Sequence, residues 1–301
     1  MRLLIYGAGV IGSLYATLFS QAGYDVTVYA RGKRLEALKE KGLIFLKKEK
    51  QYYAKVHIIS KLFCEDTYDF IFLTVKGHQV YEALRELKEN QSNTIVTMVN
   101  SLDDYDSWEN ICGKGRILPA FPGAGGSIEE DVLDASLTPG MIQKTSFAEI
   151  GGENSERVRK LQTIFQRSRI PYQIVPDMHI WQICHLAVVV PIGDAYYETE
   201  CPQKVGKNFG QMLETARQIK ENCKKLYRSG MKLSPGKINL FRVLPVFFLG
   251  VGLSVLFNSN FGDKFMYRHS MKAPDEMKQL HRWFYEDRKS TRLNSSHGRR
   301  S

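Results

Sequence analysis

The stretch that decides the fold of this chain is Leu3-Leu4-Ile5-Tyr6-Gly7-Ala8-Gly9-Val10-Ile11-Gly12. An apolar run leads into glycines spaced G-x-G-x-x-G, and residues 13–19 favour an amphipathic helix. In such a strand–turn–helix unit, Gly7 permits the tight turn, Gly9 leaves room above the backbone, and Gly12 lets the helix pack against the strand. The pattern predicts a dinucleotide pyrophosphate site at the helix start, and the alternative is an ordinary glycine turn. The residues predicted to contact the coenzyme here are Gly7, Gly9, Val10, Ile11 and Gly12.

The second predicted strand, residues 24–29, is followed by a cluster of positive charge. Sites selective for NAD usually carry an Asp or Glu there, about 20 residues after the glycines, where it binds the ribose 2′-hydroxyl. This chain has Arg31 at that point, with Lys33 and Arg34 behind it. A guanidinium pairs with a phosphate through two hydrogen bonds, whereas an acid would repel it. The sequence therefore predicts NADP(H), with Arg31 on the 2′-phosphate, and the alternative is that the three cations form a solvated loop.

Strand and helix patterns alternate along the first part of the chain. Continuous apolar runs at residues 69–75 and 94–99 are typical of parallel strands covered on both faces. After Asp177 helical periodicity replaces the strand pattern. We therefore predict an α/β fold, with a Rossmann-type doubly wound parallel sheet followed by an all-α carboxyl-terminal domain. The predicted domains are an NADP-binding domain at residues 1–176, a helical substrate or dimerisation domain at residues 177–288, and a disordered, non-native tail at residues 289–301.

We predict a cytoplasmic protein that binds neither nucleic acid nor a membrane, although the modest net charge outside the predicted tail suits nucleic acid as well as it suits an anionic ligand. Four of the ten net positive charges fall in the predicted tail, and no basic-aromatic signature of a nucleic-acid module is present. The most apolar stretch, residues 244–257, is shorter than the roughly 20 residues that a membrane span needs. Five scattered cysteines without a C-x-x-C motif, and a start that enters a strand without a leader, predict a reducing compartment and no metal site.

Two polar residues follow predicted buried strands at their carboxyl ends, where open parallel sheets bind ligands. Lys76 follows residues 69–75, and Asn100 follows residues 94–99. Lys76 can donate to a ribose hydroxyl or a substrate carboxylate, and Asn100 can both donate and accept. Both are predicted to lie near the nicotinamide, and the alternative is that they cap the next helix or turn. A second glycine cluster, residues 121–127, is either a flexible loop or a close backbone approach to a ligand.

Several segments resemble the ketopantoate reductase (2-dehydropantoate 2-reductase) family in order and spacing. They are residues 7–13, 28–32, 42–43, 70–76 and 99–100. The resemblance implies a Rossmann domain followed by a helical domain. It also implies that NADPH reduces the ketone of a small 2-oxo acid, which in this family is 2-dehydropantoate in pantothenate synthesis. By the same resemblance Arg31 holds the 2′-phosphate, and Lys76 and Asn100 line the nicotinamide end of the cleft.

The resemblance fails on the first long helix after the sheet, where the family carries a Lys proton donor followed by Asn residues. This chain has Gln182 or Ile183 where the Lys is expected, and apolar residues where the Asn residues are expected. Hydride addition to a ketone leaves an alkoxide, and a positioned acid that protonates it contributes about 10²–10⁴-fold. The candidate catalytic residues are therefore His185, one turn after Trp181, and Lys76. A hydrogen-bonded core histidine is the alternative for His185.

The resemblance continues more loosely to residue 287. Ser270 falls in a segment that resembles the family's Ser-Met pair, and Glu276 resembles a downstream substrate-binding acid. The implied substrate-binding residues are Asn100, Ser270 and Glu276. Three functions stay open: a reductase of a small 2-oxo acid, the same scaffold acting on a different carbonyl, and a non-catalytic NADP-binding protein. A homodimer through the helical domain also stays open.

Overall fold

The structure, a computed structural model, describes residues 1–272 and 274–286. Its contacts divide the chain into two compact units, Met1–Met178 and the residues from His179 onward. The predicted tail at residues 289–301 lies outside the described residues, as do residues 287 and 288 of the predicted helical domain.

The first unit is built on a large parallel sheet. Its strands and those of a smaller sheet are β1 (Arg2–Tyr6), β2 (Asp25–Tyr29), β3 (Leu43–Lys47), β4 (Lys50–Ala54), β5 (His57–Ile59), β6 (Phe70–Leu73), β7 (Ile95–Met98), β8 (Ile117–Phe121), β9 (Ala124–Glu129), β10 (Val132–Leu137), β11 (Thr145–Phe147) and β12 (Tyr172–Ile174). The large sheet has the order β12-β11-β8-β7-β6-β1-β2-β5, and the strands from β8 to β5 in that order pair in parallel. The order reverses between β1 and β6, and ligands of open α/β sheets bind at such a reversal.

Helices cover this sheet. They are α1 (Val10–Gln21), α2 (Gly32–Lys41), α3 (Val80–Leu87), α4 (Tyr105–Cys112) and α5 (Glu156–Arg167). Phe19 of α1 contacts Phe72 of β6, with ring centroids 4.8 Å apart, and Phe165 of α5, with ring centroids 6.3 Å apart. All three rings are buried, and each contributes about 1.5–3 kcal/mol by leaving water. These contacts fix α1, and with it the glycine turn, against the sheet.

A second sheet, with the order β4-β3-β10-β9, packs on the other side of α1. Leu14 of α1 packs in a cluster with Phe45 of β3 and Leu133 of β10. The sequence did not predict this sheet, because its strands are short and one of them, β4, is mostly exposed. The second glycine cluster lies partly in β9, so the flexible-loop interpretation is wrong. A Cβ on Gly126 would lie 2.2 Å from the Asp134 carbonyl oxygen, which shows that this glycine serves strand packing.

One edge of the large sheet departs from the predicted parallel arrangement. β11 pairs antiparallel with β8 and parallel with β12. A parallel neighbour needs a crossover connection, usually a helix, whereas the chain after β8 forms the β9–β10 hairpin and re-enters the sheet beside the carboxyl end of β8. The antiparallel strand therefore follows from a missing helical crossover.

The second unit is helical, as predicted. Its α-helices are α6 (Met178–Tyr197), α7 (Phe209–Arg228), α8 (Asn239–Val243), α9 (Val246–Phe257), α10 (Arg268–Lys272) and α11 (Pro274–Tyr285). Asn208 caps α7 by accepting a hydrogen bond of 3.1 Å from the Gln211 N–H.

Helix α6 is long and apolar enough to cross a membrane by the criteria of length and composition, with 20 residues and a mean hydropathy of 1.2. However, 61% of that stretch is buried inside the protein, and core helices of water-soluble proteins pass the same test. The segments Gly236–Val243 and Val246–Phe257 pass it only as a pair bent by 120°. Helix α6 is therefore buried to the extent expected of a helix that packs within this unit.

Candidate functional site

The glycine turn joins β1 to α1 at the point where the strand order reverses. Gly7 has a φ of +115°, which strains any residue with a side chain. A Cβ on Gly12 would lie 1.9 Å from the Gly7 carbonyl oxygen, so this close approach of helix and strand requires glycine. Gly9 is exposed, and a Cβ there would meet no atom within 4 Å. The turn is therefore open beside Gly9, where Val10 and Ile11 begin the helix with N–H groups that lack intrahelical partners.

Thr74, directly after β6, fixes the turn to the neighbouring strand. Its hydroxyl donates to the Gly7 carbonyl oxygen at 2.8 Å, and its N–H donates to the Tyr6 carbonyl oxygen at 3.0 Å. No sequence pattern singles out Thr74, since a threonine at a strand end is not distinctive. Thr74 thus ties the turn to β6 across the strand reversal.

Lys76 lies two residues further on. Its N–H donates to the Gln79 side chain at 3.3 Å, and its carbonyl oxygen accepts from the Gln79 N–H at 2.9 Å. The backbone of Lys76 therefore takes the capping role that was the alternative interpretation. Its side chain is exposed just beyond the carboxyl end of β6, where a ligand would find it.

Arg31 lies just beyond β2, immediately before α2. Its Nη1 donates to Glu82 Oε1 at 2.8 Å and to Glu86 Oε1 at 3.0 Å. The hydrogen bond to Glu82, with the charge of Glu86, raises the pKa of Arg31, while partial burial opposes that rise. The side chain is still 41% exposed. The alternative of a solvated loop is wrong about the loop, because α2 begins at Gly32, although Arg31 and Lys33 are exposed.

Glu86 is itself held by two tyrosines. Tyr6 and Tyr29 are paired at the ends of β1 and β2, and their rings stack with centroids 4.4 Å apart. The Tyr29 hydroxyl donates to Glu86 Oε2 at 3.0 Å, and the Tyr6 hydroxyl donates to the same oxygen. Burial, followed by the hydrogen bond to Glu86, raises the pKa of both phenols. Both tyrosines therefore remain protonated donors that hold the Glu86 carboxylate beside Arg31.

Arg34 extends from α2 across the glycine turn. Its Nε donates to the Ala8 carbonyl oxygen at 3.2 Å, and its Nη2 lies 3.5 Å from Ser13 Oγ. Its Nη1 donates at 3.2 Å to the carbonyl oxygen of Asp131 in the β9–β10 turn. Burial lowers the pKa of Arg34, yet a guanidinium stays charged in proteins. A fixed positive charge therefore lies beside the start of α1 and favours an anion there.

Asn100 lies two residues beyond β7 and is half-buried. Its neighbour Ser101 is buried and accepts a hydrogen bond of 3.0 Å from the Asp103 N–H. The structure thus brings the glycine turn, Arg31, Lys76 and Asn100 to the carboxyl ends of four adjacent strands, β2, β1, β6 and β7. This edge of the sheet is the candidate coenzyme-binding site.

The remaining predicted residues belong to the helical unit. His185 of α6 is half-buried, and its ring stacks on Trp181 with centroids 5.1 Å apart and an interplanar angle of 10°. Ser270 of α10 is buried, and its carbonyl oxygen accepts a hydrogen bond from the Tyr197 hydroxyl. Glu276 is half-buried in the first turn of α11. Their participation in the reaction stays a prediction.

The helical unit also contains a titratable pair that no sequence pattern indicates. His281 Nδ1 of α11 lies 2.9 Å from Asp194 Oδ2 of α6. Burial raises the pKa of Asp194, and the charge of His281 partly opposes this. The two residues are 87 positions apart, so no local pattern could have connected them.

The strand order and the glycine turn place the first unit in the Rossmann class of domains. Residues 3–133 match the family model described as ketopantoate reductase PanE/ApbA. The matched range contains the glycine turn, Arg31, Lys76 and Asn100. Residues 3–133 are therefore similar to the ketopantoate reductase family, which confirms the resemblance found in the sequence.

Curated relatives agree with this family. The 2-dehydropantoate 2-reductase of Pyrococcus abyssi is 24% identical over 248 residues, which cover 80% of this chain and 79% of that protein. The enzyme of the same name from Archaeoglobus fulgidus is 37% identical over 113 residues, which cover 38% and 37% of the two chains. The uncharacterized oxidoreductase YkpB of Bacillus subtilis is 27% identical over 190 residues, covering 60% and 58%. The matches therefore span less than two thirds of the length of the latter two relatives.

Solved structures share the whole architecture. D-mandelate dehydrogenase, solved with NADH and anilino(oxo)acetate, has a TM-score of 0.61 and 16% identity, and the match covers 96% of this chain and 99% of that one. The 2-dehydropantoate 2-reductase of Porphyromonas gingivalis has a TM-score of 0.60 and 14% identity, with 90% and 98% covered. These likenesses confirm the predicted fold class, a Rossmann-type domain followed by a helical domain.

Proposed function

We propose that this protein is an NADP(H)-dependent reductase that converts the ketone of a small 2-oxo acid into a hydroxyl group. The observation that carries the proposal is the open glycine turn, with Arg34 beside it and Arg31 at the end of the next strand. The family domain supports an oxidoreductase. The names of the relatives, 2-dehydropantoate 2-reductase, support a 2-oxo acid substrate and a place in pantothenate synthesis.

The residues present fit a dinucleotide. Gly9 leaves open space beside the start of α1, and a side chain at that position would fill it. Backbone N–H groups at the helix start and the Arg34 guanidinium would hold the pyrophosphate. Arg31, already charged and partly exposed, would hold a 2′-phosphate by turning toward it from the two carboxylates.

The bound coenzyme would supply a hydride to the carbonyl carbon of the substrate. Lys76 would donate a hydrogen bond to the carbonyl oxygen, and Asn100 would orient the substrate or the nicotinamide ribose. The alkoxide that results needs a proton, for which Lys76 and His185 are the candidates. Ser270 and Glu276 are proposed to bind the polar end of the substrate.

A second candidate function keeps the chemistry and changes the substrate. The D-mandelate dehydrogenase neighbour was solved with an oxo-acetate ligand, and this chain lacks the Lys and Asn residues that the family resemblance implies for α6. A carbonyl substrate other than 2-dehydropantoate fits that difference. We further propose a cytoplasmic enzyme acting on a small molecule, without a nucleic-acid or membrane partner, and the homodimer remains open.

The test is a turnover screen of the purified chain. NADPH absorbance is followed with 2-dehydropantoate, phenylglyoxylate and pyruvate. We expect saturable oxidation of NADPH with at least one of them, and the preferred acid decides between the two candidate functions. Binding of NADPH without turnover of any 2-oxo acid would instead indicate a non-catalytic coenzyme-binding protein.

Matched variants assign the proton donor in the active protein. Lys76→Ala or His185→Ala should lower kcat by about 10²-fold, because a positioned acid contributes about that much. Lys33→Ala, which removes an exposed cation from α2, should leave kcat unchanged. If neither Lys76→Ala nor His185→Ala changes the rate, both catalytic assignments are wrong.

A further inference from the structure

No acidic residue follows β2 directly in the sequence. In the structure, however, two acidic side chains from another element lie beside the end of this strand. Sites that bind NAD carry an Asp or Glu at this strand end, which accepts hydrogen bonds from the ribose hydroxyls. Here Glu82 and Glu86 reach that point from α3, 51 and 55 residues after Arg31. The strand end therefore presents a guanidinium and two carboxylates together.

We propose that Glu82 and Glu86 determine coenzyme selectivity, so that the site binds NAD(H) as well as NADP(H). They neutralise Arg31 and offer acceptor oxygens to the ribose hydroxyls of NAD(H). This inference rests on the proposed function, since it concerns the same coenzyme site. It adds that the relative affinity for NAD(H) and NADP(H) depends on the opposing charges of Arg31 and the two carboxylates.

The charges at this point disfavour a further anion. Arg31 carries one positive charge, and its two partners carry two negative charges, at 2.8 Å and 3.0 Å from the same Nη1. A 2′-phosphate adds about −1.5 to −2 near neutral pH. It must share Arg31 with the carboxylates or displace them, and it is repelled by both. A 2′-hydroxyl meets no such repulsion and can donate to either carboxylate.

The two carboxylates have different freedom to move aside. Glu82 is 58% exposed and lies one turn before Glu86 on α3. Glu86 is 38% exposed and also accepts hydrogen bonds from the hydroxyls of Tyr6 and Tyr29, whose rings are stacked. Glu86 is therefore positioned by the sheet and stays beside Arg31, so its charge should affect selectivity more than that of Glu82.

The experiment measures the dissociation constants of NADPH and NADH for the intact chain by calorimetry. The variants are Glu82→Gln and Glu86→Gln, which keep the shape of the side chain, remove its charge and replace one acceptor oxygen with an amide donor. Glu89→Gln is the matched control, because it removes the same charge one turn beyond Glu86 and leaves both bonds of Arg31 in place. Thermal unfolding of each variant shows whether it is folded.

We expect the unmodified chain to bind both coenzymes. Glu86→Gln should shift the affinity ratio toward NADPH by about tenfold, as removal of one like charge at close range predicts at a partly exposed site. Glu82→Gln should give a smaller shift in the same direction, and Glu89→Gln should change the ratio by less than twofold.

Two outcomes overturn the inference and are distinguishable. If both coenzymes bind but neither Glu82→Gln nor Glu86→Gln changes their ratio by more than twofold, the carboxylates do not determine selectivity, and the proposed function stands. If neither coenzyme binds the unmodified chain or any variant, the proposed function fails as well. Because Glu82 is exposed, its variant keeps the test decisive even if Glu86→Gln does not fold.

Discussion

Two arrangements of arginine with glutamate in the first unit differ mainly in burial. Arg157 binds Glu149, whose side chain is only 4% exposed, whereas Arg31 binds Glu82 and Glu86 at a partly exposed strand end. A buried charge must keep its partner, because water cannot replace it. An exposed charge can exchange its partner for a ligand at little cost. The comparison distinguishes a buried ion pair, which has a structural role, from an exposed one whose partners a ligand can replace.

The buried pair has the contacts that a structural role requires. Arg157 Nε donates to Glu149 Oε1 at 2.7 Å, and Nη2 donates to Glu149 Oε2 and, at 3.0 Å, to the Ile117 carbonyl oxygen. The Ser155 hydroxyl, at the start of α5, donates to the same carboxylate. Burial alone would raise the pKa of Glu149, but the hydrogen bonds from Arg157 and Ser155 outweigh it and lower the pKa. The pair thus ties α5 to β8.

The largest expected effect comes from breaking this pair. Arg157→Ala should lower the free energy of unfolding by about 3–5 kcal/mol, because it leaves the Glu149 carboxylate buried without its counter-charge. Urea unfolding followed by circular dichroism measures the loss. Below the unfolding transition, the variant should still bind coenzyme with unchanged affinity.

Acidification of the unmodified protein tests the same pair. The folded pKa of Glu149 is below its ordinary value of 4.5, so its contribution is present above pH 4.5 and is lost as the pH falls through the folded pKa. Arg157→Ala should remove this part of the pH dependence. A loss of less than about 1 kcal/mol in Arg157→Ala would contradict the structural role.

Loss of Arg31 should affect stability less than loss of Arg157, and should affect coenzyme binding more. Arg31→Ala should change the free energy of unfolding by less than about 1 kcal/mol, as for other exposed ion pairs. It should raise the apparent KM for NADPH by about tenfold or more and lower kcat much less, because a 2′-phosphate loses its charged partner. Steady-state kinetics with NADPH and NADH measures both. Equal losses with the two coenzymes would contradict the 2′-phosphate role.

Local features were predictable from the sequence. The glycine turn, the apolar strands β6 and β7, and the capped helix α7 depend on residues close together in the chain, where periodicity and capping residues are informative. The positions of Arg31, Lys76 and Asn100 followed from the rule that ligands bind at the carboxyl ends of parallel strands.

Features that depend on distant residues were not predictable. The neutralisation of Arg31 requires α3 to present Glu82 and Glu86 to the end of β2, which only the packed sheet brings about. The small sheet and the antiparallel β11 depend likewise on pairings between short, weakly patterned strands. Which of the cations after β2 faces the glycine turn was also undetermined, and the structure places Arg34 there.

The central claim is that the turn around Gly9 holds a nicotinamide dinucleotide, and calorimetric titration of NADPH into the intact chain tests it most directly. Gly9→Ala is the control, because its Cβ meets no protein atom within 4 Å and should leave stability within about 0.5 kcal/mol while filling the space for the pyrophosphate. We predict one binding event per chain, weakened at least tenfold in Gly9→Ala. The absence of binding heat with either NADPH or NADH, or equal affinity in Gly9→Ala, would contradict the claim.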